Sequence, residues 1–383
     1  MLYWDYAAAT PPYEDVVKTM EQIMKLHYAN PSSLHRAGSE AAKLIRRSRE
    51  VCAAALSVQP KEILFTSGAT ESNNLAIKGA ALQYQSRGRH LITTEIEHPS
   101  VYESCLQLQQ NGWEITFVAP DSTGMIDPER VAAAVRRDTI LVSVMHVNNE
   151  IGTVQPLMEI GRLIKSVNPR TLFHVDGVQG YGKLAVDLKG WKADLYSLSP
   201  HKIRGPRGAG LLYIKEGIQL FPLLSGGSHE EGLRAGTENV PAIVASSKAV
   251  RMGAEQRETF YARLLSLRDR LLRFLHSVPE FVINSRGDGA PHIVHFSYPG
   301  MKGEVFARKL EELGMAVSTR SACSSKLAEP SRVLLSMGKD VSVASGGIRI
   351  SFGDSHTEDD VAALEKALIT AVRALKIAEG GMK

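Results

Sequence analysis

Between about residues 60 and 215 the sequence switches repeatedly between two hydrophobic periods. Short apolar, β-rich runs occur at Glu62–Thr66, His90–Thr94, Glu114–Val118, Ile140–His146, Leu172–Asp176, Asp194–Leu198 and Gly210–Ile214. Longer stretches separate several of them, and Glu71–Arg87, Pro99–Asn111, Pro128–Arg137 and Leu157–Val167 space their apolar residues at helical intervals. Strands joined through helices pair in parallel, and the helices cover the sheet on both faces. The pattern predicts an α/β fold with a mostly parallel, seven-stranded sheet. Open sheets of this kind bind ligands beyond the carboxyl ends of their strands. The residues just past each run are therefore the candidates for chemistry.

At 383 residues the chain exceeds the ~250–300 at which one core stops growing. A long helical stretch, Ala242 to His276, leads to strand candidates Ile293–Ser297 and Gly347–Phe352 and a helix from Glu358 onward, which predict a smaller α+β unit. The expected division is a large domain over 13–255 and a small one built from 1–12 and 256–383. No segment approaches the ~18 consecutive apolar residues of a membrane span. Met1-Leu2-Tyr3-Trp4-Asp5 lacks the basic and apolar regions of a signal peptide, so a cytoplasmic location is expected. Cys52, Cys105 and Cys323 are too scattered for a disulfide framework or a zinc site, and no metal is expected. A net charge of +4, without a basic run interleaved with aromatics, gives no reason to expect direct nucleic-acid binding.

Lys202 follows one predicted strand in Ser199-Pro200-His201-Lys202, and Asp176 closes another, with Gln179 just beyond. A lysine and a carboxylate at strand ends meet the needs of pyridoxal 5'-phosphate: the amine forms a Schiff base with the aldehyde, and the carboxylate pairs with the pyridinium nitrogen. Taken alone the pattern is weak, because most lysines are solvated surface groups. Thr66-Ser67-Gly68-Ala69-Thr70-Glu71-Ser72 joins a strand to a helix, and its amides and the Thr70 hydroxyl suit either a phosphate or a plain helix cap. His98 and Asn148-Asn149-Glu150 end two further strands, where an acid/base group and an amide for the cofactor or substrate belong, although packing or a turn also explains them. Gly226-Gly227 and Arg234-Ala235-Gly236-Thr237 form a polar, glycine-rich loop able to carry a phosphate contact.

Cys323 lies in the polar stretch Thr319-Arg320-Ser321-Ala322-Cys323-Ser324-Ser325-Lys326, where Arg320 and Lys326 favour the thiolate. Cys52 and Cys105 sit on helical, apolar patterns and read as packing. Arg349 alternates with apolar residues in Gly347-Ile348-Arg349-Ile350-Ser351, so it needs an anion, which a substrate carboxylate would supply.

The ordered set Asp5-Tyr6-Ala7-Ala8, Asn30–His35, Thr66–Asn73, Glu97-His98, His146–Gly152, His174–Gln179, Ser199–Lys202, Arg234–Thr237, Ser321–Ser325 and Ile348–Gly353 resembles the cysteine desulfurases, in the class V, fold-type I pyridoxal phosphate family. The resemblance runs nearly end to end. It implies Lys202 as Schiff-base lysine, Asp176 as pyridinium partner, Gln179 on the ring hydroxyl and His98 as the ring-stacking acid/base. It assigns Ala69, Thr70, Ser199 and His201 to the phosphate, with Thr237 added from the other subunit of a homodimer. Asn149 and Arg349 would hold the substrate carboxylate, and Cys323 would accept sulfur as a persulfide. The implied reaction converts L-cysteine to L-alanine and passes the sulfur to an acceptor, an iron–sulfur scaffold or a tRNA thiouridine synthase. A selenocysteine lyase, a cysteine sulfinate desulfinase or a class V transaminase would share most of the same residues. Pro200, Arg320, Glu231, Trp4 and Ala9 depart from the usual pattern without removing a reacting group.

Overall fold

The computed structural model describes residues 1–319 and 329–380. Its strands, numbered along the chain, are β1 (Leu2–Tyr3), β2 (Ile63–Thr66), β3 (His90–Thr94), β4 (Glu114–Val118), β5 (Thr139–Met145), β6 (Leu172–Asp176), β7 (Leu195–Leu198), β8 (Gly210–Ile214), β9 (Val282–Ile283), β10 (Ile293–Ser297), β11 (Met315–Ala316) and β12 (Gly347–Ser351). β2 to β8 form the seven-stranded sheet, in the order β2-β8-β7-β6-β5-β3-β4. The five strands from β7 to β4 pair in parallel, and β8 runs antiparallel to both β2 and β7.

β5 and β6 are buried at every position, which is why they read as unbroken apolar runs rather than as an alternation. Their neighbours in sequence nonetheless serve opposite faces. Ile92, Val142 and Phe173 join the core beneath the Arg36–Leu56 helix and the start of Val240–His276, which also holds Trp191. Leu91, Leu141 and Leu172 join the other face, with Trp113 and the helical residues Leu75 to Ala81.

A third core gathers Trp4, the Leu264 to Leu275 half of the Val240–His276 helix, Phe296, Phe306, Ile348, Ile350 and the Glu358–Gly380 helix. Its sheet places β10 between β9 and β12, all antiparallel. The N-terminal strand enters this region, β1 pairing in parallel with β11 and Asp5 bridging to Ser351. Trp4 is fully buried there, stacked on the His356 ring at 4.0 Å.

Two helices differ from expectation. The stretch expected as Glu71–Arg87 starts at Ala69, widens into a π-turn over Leu75–Gly79 and stops at Tyr84. Gly79 lies against the chain at Phe221, whose N–H donates to the Gly79 carbonyl at 3.0 Å, so that turn serves a second strand of backbone. The helix expected to reach Arg137 ends at Ala134, because Val135 is extended and the Arg136 N–H turns to Thr139 Oγ1 at 2.7 Å. Among the described residues no helix is long and apolar enough to cross a membrane.

Candidate active site

Four parallel strands end at one cavity of about 380 Å³. Past β3 stands His98, at the N-terminus of the Pro99–Gln110 helix. Past β5 the adjacent asparagines divide the work. Asn148 makes the turn, its Oδ1 accepting from the Glu150 and Ile151 N–H groups at 2.9 and 3.0 Å, while its amide ties the turn to Ile96 O at 2.9 Å. Asn149 is left to line the cavity. β6 ends on Asp176, and β7 runs into an extended Ser199, as Pro200 requires, followed by the tight turn Pro200–Lys202. Ala69, Thr70, Gln179 and Arg349 complete the set of predicted residues around this space.

Hydrogen bonds join these residues into one system. Asp176 Oδ2 accepts from Asn73 Nδ2 at 2.8 Å and its Oδ1 from the Val178 N–H at 3.1 Å. The same Asn73 nitrogen donates to Ser100 Oγ, and Ser100 Oγ lies 2.8 Å from His98 Nδ1. Because the Ser100 N–H donates to that Nδ1 as well, the His98 ring carries its proton on Nε2. Burial holds the His98 pKa below its ordinary value, against the opposing pull of Asp176, so the ring is neutral near pH 7. Burial likewise pushes His201 down to about 4, with Lys202 and Arg207 adding to the effect. Its Nδ1 is 2.9 Å from Ser199 Oγ.

Lys202 is reached by the N-terminal segment. Its Nζ donates to Ala7 O and Ala8 O at 2.7 and 2.6 Å, and Thr10 secures the segment by donating to His201 O from both its N–H and its hydroxyl. Gln179 donates to the same Ala7 carbonyl at 2.9 Å and accepts from His292 Nε2 at 3.2 Å, which fixes the sense of its amide. Arg349 is 1% exposed and already has an anion: its Nη2 meets Asp5 Oδ1 at 2.6 Å, and its Nη1 donates to Asn149 O at 2.7 Å. The residue pattern alone had called on a substrate for that charge; the chain supplies it through Asp5.

The donor set fits pyridoxal phosphate. Asp176 is a buried carboxylate that accepts from the neutral donors Asn73 Nδ2 and the Val178 N–H and lines the cavity, as a pyridinium partner needs. At the other end Gly68 and Gly208 line the cavity where a side chain would point into open space, next to Thr70, Ser199 and His201. That is room for a phosphate among hydroxyls and amides.

One predicted residue lies elsewhere. Thr237 is exposed on a loop beside the Thr66-Ser67 turn and does not line the Lys202 cavity. Its loop is anchored by Arg234 Nε on Glu71 Oε1 at 2.9 Å and by Glu230, which pairs with Arg49 and accepts from the Phe65 N–H. Cys323, with Arg320 and Lys326, falls outside the described residues. Cys52 and Cys105 are buried, and burial pushes both thiols up to about 12, so neither is a nucleophile at neutral pH. Asp5, Asn73, Ser100, Arg207 and His292 were not foreseen as site residues. Gly205-Pro206-Arg207-Gly208, with two glycines around a cation, carried a signal for one of them.

A fold with this sheet order and a lysine, an aspartate and a histidine past the ends of β7, β6 and β3 defines a class, and the chain belongs to it: residues 2–364 match the class-V aminotransferase family. Within that family it is similar to "Cysteine desulfurase IscS" of Dictyoglomus turgidum, at 40% identity over 94% of this chain and 91% of that protein. Among solved structures, a NifS-like protein superposes with a TM-score of 0.91 at 36% identity, covering 98% of this chain and 99% of that one. A structure described as SspA in complex with cysteine gives 0.81 at 35% identity, covering 92% and 99%.

Proposed function

We propose that this protein is a pyridoxal phosphate-dependent cysteine desulfurase, converting L-cysteine to L-alanine and delivering the sulfur to an acceptor. The observation that carries the reading is the single cavity that gathers Lys202, Asp176, His98 and Arg349 in a chain similar to IscS over nearly its whole length. Pyridoxal phosphate, when bound, supplies an electron sink next to the substrate's Cα. Lys202 Nζ would hold the cofactor's aldehyde carbon and, once freed by substrate, take the Cα proton. Asp176 would keep the ring nitrogen protonated, and Asn73 and Val178 hold that carboxylate in place. Gln179, oriented by His292, would offer the ring hydroxyl the amide hydrogen that it does not give to Ala7 O. Ala69, Thr70, Ser199 and His201 would bind the phosphate, and His98, with its proton on Nε2, would serve as the acid/base group beside the ring. Asn149 and Arg349 would position the substrate carboxylate. The Cys323 thiolate takes the substrate's sulfur: an S–S bond forms, the Cβ–S bond breaks, and its electron pair stays with the three-carbon fragment that leaves as alanine.

The chain divides in this reading into a large domain over 13–255 and a small one from 1–12 and 256–383. Support comes from the Val240–His276 helix, whose first turns pack under the large sheet and whose last turns enter the core containing Trp4. The protein works as a cytoplasmic homodimer, each Thr237 reaching the partner's phosphate site, and hands sulfur to an iron–sulfur scaffold or a tRNA thiouridine synthase. The test is to incubate the holoenzyme with L-cysteine and a thiol reductant. Sulfide and alanine should appear in equal amounts, and Cys323→Ala should lose sulfide release while retaining the bound cofactor's absorbance. Cofactor-loaded wild type that forms no alanine from cysteine overturns the reading.

A further inference from the structure

Arg349 is one of the largest fully buried side chains in the protein, yet it lines the cavity, and its charge is met from behind by Asp5. The two residues lie 344 positions apart and are brought together by backbone that is pinned on both sides. Ser351 donates its N–H to Trp4 O at 2.8 Å, and the Ala7 N–H donates to Ser351 Oγ at 2.9 Å. Asp5 is thus held at the level of its main chain. Its carboxylate, 19% exposed, is the part left able to turn.

The guanidinium is not saturated. One N–H of Nη2 goes to Asp5 and one of Nη1 to Asn149 O, while the buried Nε has no hydrogen-bond partner among the described residues. A buried arginine without an anion is strongly disfavoured, so Asp5 stabilises the substrate-free state. A second carboxylate arriving at the same guanidinium meets a cation that is already neutralised. It must either turn Asp5 away or sit beside a like charge in a poorly screened space, and both routes weaken its binding.

We infer that Asp5 is a resident counter-ion that the substrate's carboxylate displaces from Arg349, which makes it a positioning residue that sets how tightly carboxylate ligands are held. The inference rests on the reading that an amino-acid carboxylate binds at Arg349. Occupied by Asp5, Arg349 discriminates against weak or adventitious anions. A ligand succeeds when its other contacts offset the exchange. Arg349 therefore remains charge-paired throughout the cycle, first by the chain and then by the ligand.

The test uses the holoenzyme and 3-mercaptopropionate, which has the carboxylate and thiol of cysteine but no amine to react with the cofactor. In Asp5→Asn the Kd of this probe, measured calorimetrically, and the KM for L-cysteine should both fall roughly 3- to 10-fold, the scale of a lost competing ion pair. Asp5→Glu, which keeps the charge, should stay close to wild type. Asp5→Ser provides the same readout without an amide, should the asparagine variant fold poorly. A Kd that rises or stays constant in both neutral variants overturns the exchange, since a purely structural Asp5 would loosen Arg349 rather than free it. If the probe binds more tightly in these variants while no variant, nor the wild type, makes alanine from cysteine, the exchange stands and the desulfurase reading falls. If alanine forms and the probe's affinity does not rise, the reverse holds.

Discussion

Asn73 Nδ2 donates to Asp176 Oδ2 at 2.8 Å, across 103 residues of chain, and through its second hydrogen reaches the serine that holds His98. One amide therefore sets the position of both the carboxylate and the imidazole. Asn73→Ala removes the donor and leaves Asp176 short of a bond in a buried place. We expect a loss of about 1.5–3 kcal/mol, the scale for a hydrogen bond to a charged group, read as a lower denaturant midpoint together with weaker cofactor retention. Asn73→Asp should be worse on both measures, because it sets a second carboxylate against the first.

His98→Ala should slow turnover by roughly 10²–10⁴-fold, as for a lost acid/base group, with cofactor absorbance preserved. Ser100→Ala retains the backbone N–H on Nδ1 and removes the hydroxyl, which bonds both Nδ1 and Asn73, so its effect should be no more than about 30-fold, two neutral hydrogen bonds of ~1 kcal/mol each. Equal losses in the two variants would show that the hydroxyl, not the ring, carries the effect.

Glu97 is buried beside Asp176, and burial, reinforced by that neighbour, pushes its carboxyl up to about 8. Its Oε1 accepts from Thr94 Oγ1 and the Met145 N–H, and its Oε2 has no partner among the described residues. A folded-state pKa above the unfolded value means that the native protein binds more protons than the unfolded chain between about pH 4.5 and 8, so this contribution to stability is full below that window and is lost as pH rises through it. Glu97→Gln cannot ionise. Relative to wild type it should gain roughly 3–5 kcal/mol between pH 5 and 8, the upper bound set by the size of the shift. Urea unfolding of both proteins at the two pH values measures the difference, and a pH-independent gap would show that Glu97 ionises normally.

Mixing Thr237→Ala with Lys202→Ala subunits tests the shared phosphate site. Each variant alone should be impaired or inactive. In a mixed dimer one site receives both lesions and the other neither, so activity should return to the intact half. Proven heterodimers without recovered activity would place Thr237 in its own subunit's site or in none.

What the sequence made legible follows a simple physical line. Residues at strand ends were readable because a strand announces itself locally and the ends of parallel strands converge. Ala69, Thr70, His98, Asn149, Asp176, Gln179, Ser199, His201 and Lys202 surround one cavity for that reason. Asp5, Asn73, Ser100 and His292 were illegible because their significance lies in contacts rather than position. Asn73 looks like an ordinary helical residue until Asp176 is placed against it, and His292 like a loop residue until Gln179 is. Arg349 is the intermediate case: its burial on an apolar strand was readable, and the need for an anion with it, but not that Asp5 would supply the charge. The widened turn at Leu75–Gly79 meets Phe221, far along the chain, and leaves no periodic trace.

The three cores described above each contain one of the protein's three tryptophans: Trp191 under one face of the large sheet, Trp113 under the other, and Trp4 against His356 in the third. Intrinsic fluorescence thus offers a separate lamp for each. Proteins in which two tryptophans are replaced by phenylalanine would report the loosening of one core at a time, by emission wavelength alone and without an added dye. The Trp4 signal would be the most telling of the three: its residue adjoins Asp5, so the light it emits should register events at the Arg349 end of the cavity.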